Sequence, residues 1–102
     1  MEGAGIPLSN GTTIPKFGLG TYCMLEGEKT TATIKAAVKD LGYRMLDCAS
    51  FYKNEELVGA AINDLVNVEK TQTREQLYVI SKVWWDEVED CEAACKRSLA
   101  KL

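Results

Sequence analysis

The 102 residues have room for one small domain, and 46% hydrophobic with 26% charged content is that of a folded globular chain, not a disordered or fibrous one. Fifteen acids against twelve bases give a net charge of −3 with no basic block, which argues against a nucleic-acid surface. No window approaches the ~20 continuous apolar residues of a membrane helix. The opening MEGAGIPLSNG has neither the basic nor the apolar region of a secretory leader, so a cytoplasmic address is expected.

In chain order, IPLSNGTTIPKFG places Asn10-Gly11 between two short apolar arms. Asn-Gly suits a type I′ turn, in which both central residues need positive φ, so the spacing predicts a β-hairpin over about 6–17. GLGTY, residues 18–22, reads as a short strand. Residues 28–41 carry Ile34, Ala37, Val38 and Leu41 at helical spacing, and Gly42 sits where a left-handed residue would end the helix. The apolar run at 43–48 fits a buried strand. Asn54 is the predicted cap of a second helix, with Glu55 and Glu56 in its first turn. Its apolar stripe is Leu57, Val58, Ala61, Ile62, Leu65 and Val66, and the polar segment 67–76 reads as a loop. LYVISKV, 77–83, has the composition of a strand buried on both faces. Val88, Cys91, Cys95, Leu99 and Leu102 then repeat at helical spacing from about 87 to the end, with Asp86 as cap. A hairpin followed by three β-α units means an α/β fold with a parallel sheet.

The cysteines are Cys23, Cys48, Cys91 and Cys95, and the sequence has no histidine. Structural zinc sites bring ligands in closely spaced pairs, so free thiols are expected here and no metal. GLGTY contains a G-x-G, but it lacks the third glycine and does not open a helix, so it is no dinucleotide fingerprint.

Sites in parallel α/β folds form where strands end. Asp47 lies at the end of one predicted strand, Tyr52 on the loop after it, and Lys82 near the end of the next. If those two strands are neighbours they lie ~5 Å apart, and Asp47 and Lys82 can then pair. A tyrosine beside an ammonium is an acid–base device, because positive charge stabilises a phenolate. A loop tyrosine that merely packs and a solvated lysine are the alternatives, since structural ion pairs also perturb such groups. Trp84-Trp85 could line an apolar mouth or simply pack. The acids of DEVEDCE fit the first turn of the last helix.

Three stretches together resemble the N-terminal part of an aldo-keto reductase: LSNGTTIPKFGLGTY, GYRMLDCASFYKNEELVGAAI and REQLYVISKVW, in the family's order and spacing. The resemblance implies part of a (β/α)₈ TIM barrel that uses NADPH, or less often NADH, to reduce the aldehyde or ketone of a small-molecule substrate. By that match Tyr52 would protonate the carbonyl oxygen, Lys82 would tune Tyr52, and Asp47 would hold Lys82 near the cofactor. Gly18, Gly20, Thr21 and Tyr22 would flank the nicotinamide. Tyr22 and Trp84 would border the substrate.

Two departures accompany the match. The family's fourth catalytic residue is a histidine at the end of the fourth strand, and this sequence contains no histidine. A complete barrel takes ~250 residues, so one partial domain truncated before the fourth strand is expected. The alternative to a working reductase is therefore an inactive truncated relative that self-associates, or binds a full-length homologue, through the exposed half-barrel edge.

Overall fold

The computed structural model describes residues 5–102. Residues 1–4, on which the expectation about a secretory leader partly rests, lie outside the described residues. Strands β1 (Ile6–Pro7) and β2 (Thr13–Ile14) form the antiparallel hairpin, with Ile6 opposite Ile14. The turn differs from the expected two-residue type. Gly11 has φ 86°, but Asn10 is not among the positive-φ residues. The Asn10 carboxamide instead accepts from the Thr12 backbone N–H at 3.1 Å and its hydroxyl at 2.6 Å, an Asx turn that removes the need for a strained asparagine.

Strands β3 (Leu19–Gly20), β4 (Met45–Asp47) and β5 (Tyr78–Ile80) form a parallel sheet in the order β3-β4-β5. Leu19, Leu46 and Val79 stand in one row, and Gly20, Asp47 and Ile80 in the next. Helix α1 (Gly27–Leu41) buries Thr30, Ile34, Ala37 and Val38 and ends at Gly42, φ 77°. Leu41, predicted on the apolar stripe, is exposed at the last turn. Helix α2 (Glu55–Asn63) continues as a π turn over Asp64–Val68, so helical structure reaches into the segment expected to be loop. A 3₁₀ turn at Arg74–Gln76, whose N-cap Thr73 backbone N–H bonds the Gln76 side chain at 2.8 Å, precedes β5.

Ile34 and Val38 of α1, Leu46 of β4, Val58, Ala61 and Ile62 of α2, and Leu65 and Leu77 form one core between the helices and one face of the sheet. Strand alternation sends Met45 and Asp47 to the opposite face. Lys35 and Lys39 of α1 both bond Glu69, which holds the two helices together at the surface.

The last unit departs most from expectation. Residues Trp85–Asp90 are a 3₁₀ turn, and helix α3 (Cys91–Lys101) is capped by Asp90, which accepts from Ala93 N–H at 3.1 Å. Asp86 lies in the turn instead. Of the predicted stripe, Val88 and Leu99 are 63% and 70% exposed, Cys91 and Cys95 are exposed too, and the buried side chain is Ala94. Strand β5 is half-buried along its length, not enclosed on both faces. Among the described residues no strand pairs with its outer edge.

Candidate active site at the strand ends

Pairing continues beyond the strands themselves. Cys48 N–H donates to Ile80 O at 2.7 Å and Ser50 N–H to Lys82 O at 3.2 Å, which fixes the loop after β4 against the segment after β5. That loop folds into a 3₁₀ turn, Ser50–Tyr52, closed by Lys53 at φ 60°. Tyr52 is thereby brought to the lysine.

The Lys82 ammonium donates to Asp47 Oδ1 at 2.6 Å, to the Cys48 carbonyl at 2.7 Å and to Tyr52 Oη at 3.3 Å. Three donors meet three acceptors, so the side chain has one defined position. Partial desolvation pulls the Lys82 pKa down, but its bonds to Asp47 and Tyr52 outweigh this and hold it above the usual lysine value. Lys82 therefore stays charged near neutrality. Because Tyr52 Oη accepts from this ammonium, the phenolic proton is left to be donated elsewhere.

The other predicted residues divide. Thr21 is fully buried; its backbone N–H and hydroxyl both donate to the Asp47 carbonyl, at 3.1 and 2.9 Å. These two bonds tie the segment after β3 to the Asp47 backbone. A β-carbon on Gly18 would lie 2.9 Å from the Met45 side chain, so this glycine answers to packing within the sheet. A β-carbon on Gly20, level with Asp47, would meet nothing within 4 Å, which marks open space beside the carboxylate. Tyr22 is exposed and its ring lies 5.1 Å from that of Tyr52. Trp84 stacks on Phe51 with centroids 4.1 Å apart, whereas Trp85 is 72% exposed and joins none of these aromatic contacts.

Four features escaped the sequence reading. Phe51 lies between Tyr22, at 6.4 Å, and Trp84, making the rim continuous. Asn54 stands at the cap position, yet its side chain makes no capping bond and is 1% exposed. Its Nδ2 donates to the carbonyls of Thr21 and Met24 at 2.7 and 2.9 Å, tying α2 to the segment after β3. Glu55, buried beside it, accepts from Ser81 Oγ at 2.8 Å and so anchors the segment carrying Lys82. Glu87 accepts from Ser50 Oγ at 2.5 Å. Phe51, Asn54 and Glu55 lie within GYRMLDCASFYKNEELVGAAI, one of the stretches that carry the family resemblance, and that was their only signal.

Cys48 lies under the site, and burial, the largest cause, pushes its thiol up to about 11. The thiolate is the nucleophile, so this thiol is inert near neutrality. In the unfolded chain it ionises near 9.0, so its contribution to stability is present below that value and is lost as the pH rises from about 9 to about 11. Iodoacetamide at pH about 8 is expected to label the exposed Cys23, Cys91 and Cys95 and to reach Cys48 only after denaturation. Mass spectrometry giving Cys48 labelled as fast as the other three would contradict this burial. Among the described residues, no three cysteine, aspartate or glutamate side chains cluster as a metal site, and no helix is long and apolar enough to cross a membrane.

The profile of the aldo/keto reductase family matches residues 16–102. Glyoxal reductase of Bacillus subtilis (strain 168) is 41% identical over 99 residues, covering 95% of this chain and 34% of that protein. Aldo-keto reductase family 1 member A1 of Rattus norvegicus is 38% identical over 107 residues, covering 100% of this chain and 31% of the relative. The structure superposes on the aldose reductase of Schistosoma japonicum with a TM-score of 0.83 and 34% identity, over 96% of this chain and 32% of that one. The chain thus spans about a third of the length of these relatives. With the family profile reaching from just after the hairpin to the last residue, and the α/β architecture matching part of an aldose reductase barrel, the chain belongs to the aldo/keto reductase family.

Proposed function

We propose that the chain carries the proton-transfer half of an NADPH-dependent carbonyl reductase site, with NADH as the less common donor. The observation that carries this is the chain of contacts from Asp47 through the Lys82 ammonium to Tyr52 Oη. Bound nicotinamide cofactor would supply the hydride that adds to the carbonyl carbon of an aldehyde or ketone. Tyr52 delivers the phenolic proton to the carbonyl oxygen as charge develops there, a contribution of about 10²–10⁴ in rate for a positioned acid. Lys82 stabilises the phenolate left behind, and Asp47 keeps Lys82 in place.

The residues present fit the cofactor's nicotinamide end. Lys82 engages Asp47 through Oδ1, so Oδ2 can accept from a ribose hydroxyl, and Gly20 leaves space beside it. Tyr22, Phe51 and Trp84 offer a flat aromatic rim, which favours an apolar or aromatic small-molecule carbonyl. A cytoplasmic address accompanies this reading. The test is consumption of NADPH by the purified chain with 4-nitrobenzaldehyde and one alcohol formed per NADPH consumed. Consumption without alcohol would overturn it.

A second reading is favoured by the outer edge of β5 and the exposed Val88 and Leu99 of the last unit. On it the partial barrel domain is inactive alone and covers that edge with a second copy or a full-length homologue by strand pairing. On this reading the chain sediments faster than a monomer at micromolar concentration and consumes no NADPH. A sharp monomer boundary contradicts it.

A further inference from the structure

Glu87 sits where two loops and a helix meet. It is the third residue of the 3₁₀ turn that begins after Trp84, and its carboxylate reaches back to the Trp84 backbone N–H at 2.9 Å while its own N–H donates to Trp84 O, also at 2.9 Å. That reciprocal pair is the backbone half of a capping box. The same oxygen, Oε1, accepts from Ser50 Oγ at 2.5 Å, and Oε2 accepts from Arg97 of α3 at 3.3 Å. The Ser50 hydroxyl has a second acceptor in Lys82 O at 3.2 Å, but the shorter contact and the charge assign its proton to Glu87.

This carboxylate therefore joins the loop after β4, which carries Phe51 and Tyr52, to the loop after β5, which carries Trp84. The Phe51–Trp84 stack at 4.1 Å lies across the same junction. Hydrogen bonds to Ser50 first, and then to the Trp84 backbone, hold the Glu87 carboxyl down to about 2, so the clamp is charged at all ordinary pH values. Its side chain is 19% exposed, which keeps these contacts from being freely exchanged with water. Ser50 and Glu87 are 37 residues apart in sequence, and neither role is local.

We propose that Glu87, through Ser50, is a positioning residue that sets the aromatic rim and the Tyr52 turn against each other. Its carboxylate bonds Ser50, the Trp84 backbone and Arg97, and so acts on Tyr52 and Lys82 only through the loops that carry them. For substrate selection the proposal rests on the reductase reading, since only there does the rim face a carbonyl. The clamp itself is a property of the chain.

The test needs no turnover. In a Trp85→Phe background Trp84 is the sole tryptophan. Glu87→Ala and Ser50→Ala are each expected to raise acrylamide quenching of Trp84 by about twofold or more, because tying the loop down is what shields the ring. The double variant is expected to add little beyond Glu87→Ala, as for residues that act as one unit. Ser50→Thr, which keeps the hydroxyl, is expected to restore shielding. Amide exchange at Tyr52, whose N–H bonds Ala49 O at 3.1 Å, follows the same order. Unchanged quenching and exchange in Ser50→Ala, or additive effects in the double variant, would overturn the clamp. Should Glu87→Ala unfold, judged by circular dichroism, the Ser50→Ala and Ser50→Thr pair still decides. A failed clamp leaves the Tyr52 chemistry standing, and an inactive chain leaves this test intact.

Discussion

Tyr52→Phe is expected to remove about 10²–10⁴ of the rate of NADPH-dependent aldehyde reduction while leaving the fold unchanged. The substitution deletes one oxygen. Its ring packing is retained, because phenylalanine keeps the contact with Tyr22 at 5.1 Å. What is lost is the proton donor and one of the three acceptors around Lys82. Lys82→Met should produce a loss of the same order by a different route: the phenol stays, but no charge stabilises the phenolate that proton transfer leaves behind. The two losses should not add, since each disables the same step. Steady-state kinetics with 4-nitrobenzaldehyde separates these outcomes. Full rate in Tyr52→Phe would remove this residue from the chemistry, and additive losses in the double variant would show two independent steps.

Gly59→Ala is expected to be the most damaging glycine-to-alanine change among the described residues. Gly59 lies within α2, where a β-carbon would come 1.9 Å from the Lys101 carbonyl oxygen and 2.9 Å from its carbon. Those atoms are backbone at the end of α3, so no rotamer change relieves the collision. The end of α3 must move, and Leu102, which packs against the core, must move with it. Overpacking of this kind costs about 1–3 kcal/mol. In a domain of this size each kcal/mol lowers the melting temperature by about 4–8 °C. On helix propensity alone alanine should stabilise an interior helical glycine by about 0.5–1 kcal/mol, so the two effects have opposite signs. A thermal melt decides between them, and a raised midpoint would mean that α3 does not dock on Gly59.

Much of this architecture is legible in the chain itself. Helix α1 announces itself through Ile34, Ala37 and Val38, and Gly42 ends it in the left-handed conformation its position suggests. The strand-end rule, applied to Asp47, Tyr52 and Lys82, finds three residues that the structure brings into direct contact. What stays hidden has a common cause. Asn54 looks like a cap because capping statistics concern the local backbone; burial turns its amide towards Thr21 and Met24, more than 29 positions away. Glu87 looks like a favourable first-turn acid, and its bond to Ser50 depends on two loops that meet only after β4 and β5 have paired. The stripe predicted from about 87 to the end shows a further gap. Periodicity states which face of a helix is apolar, but not whether anything covers it, and Val88 and Leu99 remain in solvent.

The parallel pairing of β4 with β5 also has a consequence in time. The contacts of Lys82 with Asp47, Cys48 and Tyr52 span 35, 34 and 30 residues, all within two successive β-α units. Closing loops of this length is cheap in chain entropy, and that cost grows only with the logarithm of loop length. Chains also fold from the N-terminus during synthesis, at about 5–20 residues per second. The 30 to 35 residues that separate these groups take roughly 2–7 s to synthesise at that rate, so the tyrosine and the carboxylate exist before the ammonium that joins them.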